Sequence, residues 1–143
     1  MRHMHVLNKK TLGRGNLPPT VIDISRHGNL RFPGDLRPTL GNPFIMTSDG
    51  GRDGTRVDVV RSFSVAFTRK LARPGFQEWL RTVSEGKTGV ACYCAPALCH
   101  GHPVMAAILA IRDGRDPIAA VEPFTRDPDL ARSALDHSAS PVS

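Results

Sequence analysis

Between Thr88 and Arg112 the chain passes from a short apolar run straight into a helical one, and this order constrains the fold more than any other feature. Thr88-Gly89-Val90-Ala91-Cys92-Tyr93-Cys94 is short and apolar throughout, as a buried strand is. After a tight turn, Pro103 to about Arg112 is predicted to be a helix, with proline in its tolerated first turn and Asp113-Gly114 ending it. Two further strands are predicted upstream, at His5-Val6-Leu7-Asn8 and at Val21-Ile22-Asp23-Ile24, the latter β-branched and bounded by Pro18-Pro19 and His27-Gly28. Thr55 to Leu71 has Val59, Val60, Phe63, Ala66, Phe67 and Leu71 at helical spacing, with Asp53 or Thr55 as cap. Pro74 opens another helix through about Ser84, which buries Phe76, Trp79, Leu80 and Val83 and stops at Gly86. This order predicts an α/β fold, a small Rossmann-like three-layer sandwich with a mostly parallel sheet.

A length of 143 residues fits one α/β domain over 1–143, its core at about 5–113 and a peripheral tail at 114–143. The tail alternates Asp-Pro, Glu-Pro and Ser, and one short helix is expected near Pro128–Leu135. No repeat or low-complexity block appears. Residues 25–54 are dense in glycine and proline and read as a long loop, of the kind that is usually functional or mobile. In a parallel sheet, ligands collect at the carboxyl ends of the strands. Both unusual segments, 25–54 and 92–102, follow directly from strands and are expected on one edge.

The second of these segments carries the chemistry. All three cysteines of the chain fall within Cys92–Cys99, followed by His100, Gly101 and His102. An odd, clustered set is a poor disulfide framework and a better thiol or metal cluster in a reducing compartment. Strand alternation places Cys92 and Cys94 on one face, and Cys99 to His102 fall at a helix start, where N–H groups and the dipole favour an anion and a thiolate. Three readings stay open. The helix start with Gly101 cradles a phosphate or carboxylate while Cys99 or His100 contributes; or Cys92, Cys94 and Cys99 bind zinc with a histidine; or the cysteines are small buried hydrophobes.

Cys92-Tyr93-Cys94-Ala95-Pro96 with Cys99-His100-Gly101, preceded by Ser25-Arg26 after a strand, by Gly41-Asn42-Pro43-Phe44 and by an arginine-led helix, resembles the domain-of-unknown-function family numbered four-three-two-six, found in bacteria and phages. The resemblance covers about residues 5–112. The family shows Gly-Arg where this chain has Ser25-Arg26, Trp at Tyr93, and Asp at His102, so a carboxylate role at that last position does not carry over. What the resemblance implies is an α/β domain with a shared site, and an association with nucleotide or nucleobase modification.

Lys plus Arg number 19 against 13 Asp plus Glu, a formal charge of +6. Arginine's planar fork suits phosphate and carboxylate partners; dispersed along a chain, such an excess also describes a plain basic surface. Arg26, after its strand, is a candidate phosphate clamp or a solvated arginine. Asn42 holds a turn or reads a ligand's polar edge, and Phe44 stacks on a base or packs the loop. Asp23 is an orienting carboxylate or a half-exposed strand residue. Arg52, Arg56 and Arg61 line a basic rim or a solvated helix face.

The expected function is therefore an enzyme-like domain binding a nucleotide, nucleoside or nucleobase through Arg26, Asn42, Phe44 and Gly101. His100 is the candidate proton-transfer group and Cys99 the candidate nucleophile. As an enzyme it would be a nucleoside- or nucleotide-processing hydrolase or transferase, with glycosidic-bond cleavage or base transfer the first chemistry to test. The alternative is a zinc-stabilised or basic nucleic-acid-binding module without catalysis. No cofactor is expected, zinc aside. The partner is a phosphate-bearing small molecule or nucleic acid and not a membrane, since no apolar run approaches the ~18 residues of a span. The first residues lack an apolar signal region, so a cytoplasmic setting is expected. Oligomeric state is left open.

Overall fold

A computed structural model describes residues 4–10, 17–93 and 97–139, with side chains described as far as 136. Its three strands, β1 (His5–Asn8), β2 (Val21–Asp23) and β3 (Gly89–Cys92), form one sheet in the order β1-β3-β2. Both pairings are parallel, with Val6 and Ile22 flanking Val90 and with Asn8 beside Cys92. The central strand β3 is buried at all four residues, which explains its unbroken apolar run. All three strands therefore end at one edge, at Asn8, Asp23 and Cys92.

The helices are α1 (Arg56–Leu71), α2 (Phe76–Ser84), α3 (Gly101–Arg112), α4 (Pro117–Val121) and α5 (Pro128–Ala139), with short 3-10 turns at Thr47–Asp49 and Glu122–Thr125. Thr55 starts α1 through a capping box: its side chain accepts from the Asp58 N–H, and Asp58 reaches back to the Thr55 N–H. Gly86 (φ +74°) ends α2 in the left-handed region that favours glycine. Helix α3 begins two residues ahead of the predicted Pro103, with His100 at the cap, and is buried along Gly101–Ala110. It packs against β1 and β3.

The main core joins Ile22, Ile24, Val90 and Cys92 of the sheet region to Phe63 and Phe67 of α1, Phe76 and Leu80 of α2, and Val104 and Ile108 of α3. Val6 packs against this core, whereas Leu7, Val21 and Ala91, alternating with it on the sheet, belong to neither buried hydrophobic cluster. The α/β class with a small parallel sheet thus holds, its helical packing concentrated on the Val6–Val90 face.

Residues 114–136 are more than a peripheral tail. Val121 is fully buried in the main core, and Phe124 joins Val60, Leu98, Ala106 and Ala131 in a second cluster. Helix α4 is not among the predicted elements; Asp116 caps it by accepting from Ile118 N, and Pro117 sits at its first position. No helix among the described residues is long and apolar enough to cross a membrane.

The long loop is held rather than loose. Phe32 packs on Phe76 and Trp79, Leu40 is buried in the core, and Lys70 Nζ donates to the Thr39 carbonyl. Burial pushes the Lys70 pKa below its ordinary value, against the pull of Asp35.

A basic cleft at the strand ends

A cleft of about 420 Å³ opens at the carboxyl edge of the sheet, with Ser25, Arg26, Asn42 and Phe44 from the long loop and Cys92, Cys99 and His100 from the strand–helix junction in its lining. The two unusual segments of the sequence therefore meet in one place. Topology causes this: parallel strands β2 and β3 release their chains at the same edge.

Arg26 follows β2 and projects across to the loop. Its Nε donates to the Asn42 carbonyl at 2.8 Å and its Nη2 to the Phe44 carbonyl at 3.1 Å. The guanidinium is thus first a staple for the Gly41–Phe44 turn, and two of its five N–H donors are spent in that role. Asn42 is 7% exposed and its Oδ1 accepts from Phe44 N at 2.9 Å, so its side chain closes the turn. Phe44 is half-buried against the core while also lining the cleft.

Cys92 ends β3, Cys99 precedes α3, and their sulfurs stand 3.0 Å apart at 1% and 2% exposure. They are at once part of the core and the floor of the cleft. Cys94, the third sulfur of the zinc reading, lies outside the described residues. Among the described residues no group of three or more His, Cys, Asp or Glu side chains is disposed to hold a metal ion. Two thiolates on one tetrahedral zinc, each about 2.3 Å from it, stand about 3.8 Å apart. The Cys92–Cys99 pair is tighter than that and would have to spread to take the ion.

The start of α3 uses its own donors. Gly101 N–H donates to Cys99 Sγ at 3.3 Å, His102 N–H to the Cys99 carbonyl at 3.1 Å, and Pro103 has no N–H. Cys99 N–H in turn donates to His102 Nδ1 at 3.1 Å. Little of the helix end is left over for an incoming anion. Gly101 itself faces inward: a Cβ there would lie 3.0 Å from Val6 Cγ1 and 3.1 Å from Ile24 Cδ1. Close packing of α3 on the sheet, rather than approach of a ligand, is what requires glycine at 101.

His100 is 6% exposed, with Nε2 2.8 Å from the Ile24 carbonyl and its ring edge-on to Phe63. Burial lowers its pKa to about 4, the Arg26 charge adds to this, and backbone hydrogen bonding at Ile24 and Leu40 opposes it. The imidazole is neutral at pH 7 and ties α3 to the end of β2.

Positive charge in the cleft comes from side chains instead. Lys10, Arg26 and Arg56 line it against the carboxylate of Asp49, together with His27 and the half-exposed Tyr93. Arg56 Nη1 also donates to the Leu98 carbonyl at 3.2 Å, pinning the junction to α1. Arg61 pairs with Asp58 and the Arg126 carbonyl and does not line the cleft. Beside the cleft, Lys9 Nζ reaches Asp23 at 2.7 Å and Ser25 Oγ at 3.2 Å, and lies over the Tyr93 ring. Burial works against the Asp23 charge, but hydrogen bonds from Lys9 and Ser25 prevail and hold its pKa below the ordinary value. The hydrogen bond to Asp23 raises that of Lys9. Lys9, Lys10 and Tyr93 are not among the sequence-derived candidates, although the rule that singled out Arg26 applies to Lys9-Lys10 too, since they directly follow β1.

A parallel sheet whose strand ends open into a basic cleft makes this a small α/β domain. The chain belongs to the domain-of-unknown-function family DUF4326, whose profile matches residues 7–110. No curated protein and no solved structure matches it.

Proposed function

We propose that this domain binds a phosphate-bearing nucleotide or nucleoside derivative in the cleft at the strand ends. The observation that carries the reading is the convergence of Lys10, Arg26 and Arg56 with two aromatic rings, Phe44 and Tyr93, on a single cleft of about 420 Å³. That volume falls within the roughly 300–1,000 Å³ usual for small-ligand sites. The cationic side chains suit a phosphate, and the rings offer a face to a base.

His100 acts as a positioning residue under this reading, because its Nε2 faces the Ile24 carbonyl and its ring is neutral. Cys99 is then the candidate nucleophile, and glycosidic-bond cleavage or base transfer the chemistry to look for. A cytoplasmic setting, where nucleotides are abundant and thiols are kept reduced, fits this reading.

The test is calorimetric titration with nucleoside monophosphates, the matching nucleosides and inorganic phosphate, in parallel with mass spectrometry of nucleotides and DNA oligonucleotides after incubation. Monophosphates should bind more tightly than nucleosides. Lys10→Ala, which removes charge without cutting a staple of the loop or junction, should weaken monophosphate binding about tenfold, the worth of one charge-assisted hydrogen bond. Absence of binding by every one of these probes would end the proposal.

A further inference from the structure

The closeness of Cys92 and Cys99 has a chemical consequence independent of what the cleft binds. Their sulfurs are 3.0 Å apart, and a disulfide needs about 2.05 Å. The sulfurs therefore need to approach by about 1 Å for the bond to form. Cys92 is held by the strand register and by Lys9 N–H donating to its carbonyl at 2.7 Å, and Cys99 by the His102 N–H on its carbonyl. The environment is asymmetric: the Gly101 N–H, at the start of the twelve-residue α3, points its positive dipole at Cys99 Sγ. Although nearly buried, both residues line the cleft, so a small oxidant entering it meets them.

We propose that Cys92 and Cys99 are a redox-active pair that closes to an intramolecular disulfide on the cleft floor, with a hydroperoxide as oxidant. The Cys99 thiolate attacks the terminal peroxide oxygen. The O–O bond breaks, the alkoxide or hydroxide leaves and takes up a proton, and Cys99 becomes a sulfenic acid. The Cys92 sulfur then attacks Cys99 Sγ; the S–S bond forms, the S–OH bond breaks, and hydroxide leaves as water with the Cys92 proton. The two thiols have supplied two electrons and the peroxide has accepted them. An external dithiol restores the pair by exchange. Closing the bond ties the strand end to the helix start and so constrains Tyr93 and Leu98, the chain neighbours of the two cysteines, both of which line the cleft.

The test uses the full chain treated with hydrogen peroxide, quenched, denatured and alkylated with iodoacetamide. The reduced chain should take three alkyl groups and the oxidised chain one, and dithiothreitol should restore three. No lysine or arginine lies between Cys92 and Cys99, so the variant Cys94→Ser locates the bond: it should go from two alkyl groups to none. Should that variant fail to fold, tandem fragmentation of the oxidised parent peptide locates the bond instead. The proposal is overturned if two thiols stay alkylatable in Cys94→Ser after peroxide, or if the bond includes Cys94. It is equally overturned if only sulfinic or sulfonic acid forms, or if the purified chain carries one zinc and its thiols resist peroxide until a chelator removes the metal.

Discussion

Desolvation holds the His100 imidazole neutral. At 6% exposure, with Nε2 on the Ile24 carbonyl, its pKa falls from the ordinary 6.5 to about 4. The sign of the linkage follows: the unfolded chain takes up this proton near pH 6.5 and the folded chain only near 4, so acid favours unfolding. The stability this group confers is complete above pH 6.5 and is lost as pH falls toward 4, about 3 kcal/mol in all and roughly 2 of it by pH 5. Urea midpoints at pH 7 and pH 5 should therefore diverge more for the parent than for His100→Gln, which starts lower but cannot titrate. Parallel slopes for the two proteins would mean that the buried imidazole is not the titrating group. Sequence suggests a proton-transfer role for His100 because histidine beside cysteine at a helix start permits one. Its actual partner is 76 residues away in the chain, and no local pattern carries that. Asn42 was easier to read, since its hydrogen bond runs to Phe44, two residues on.

Elements with local signals were the most legible. The helix Arg56–Leu71 and its Thr55 cap follow from spacing and from Asp58 three residues after the threonine. Helices α4 and α5 follow Asp116-Pro117 and Asp127-Pro128, where Asp Oδ1 caps the new helix by accepting from Ile118 N and Leu130 N. The same dipeptide also marks turns, which is how α4 escapes a reading from sequence alone. Strand order is a different matter: β3 lies between β1 and β2, although both precede it in the chain, and hydrophobic period says nothing about that. The cap of α1 offers a clean measurement, because Thr55 is not among the cleft-lining residues. Thr55→Ala should cost about 1 kcal/mol of stability, read as a lower denaturant midpoint, while nucleotide affinity stays at the parent value. A fall in affinity matching the fall in stability would mean that the helix start and the cleft are not separable.

On the scale of the molecule, the segment after α3 supports the cleft from behind. Phe124, 2% exposed, shares a buried cluster with Val60 and Leu98, and these two residues also line the cleft. One side of that wall therefore faces the cleft and the other rests on the part of the chain that composition marks as a tail. Sequence hid this because a single phenylalanine among Asp-Pro and Glu-Pro punctuation shows no period. Phe124→Ala should remove about 3–5 kcal/mol, a large share of the roughly 5–15 kcal/mol typical of whole domains. The wall would also lose its backing, so monophosphate affinity should drop even under conditions where the variant remains folded. Denaturant midpoints together with titration at low temperature separate the two effects. A variant that loses stability but binds like the parent would leave Phe124 a plain core residue and the cleft wall self-supporting. A variant that loses neither would show that α4 and α5 contribute little to the fold.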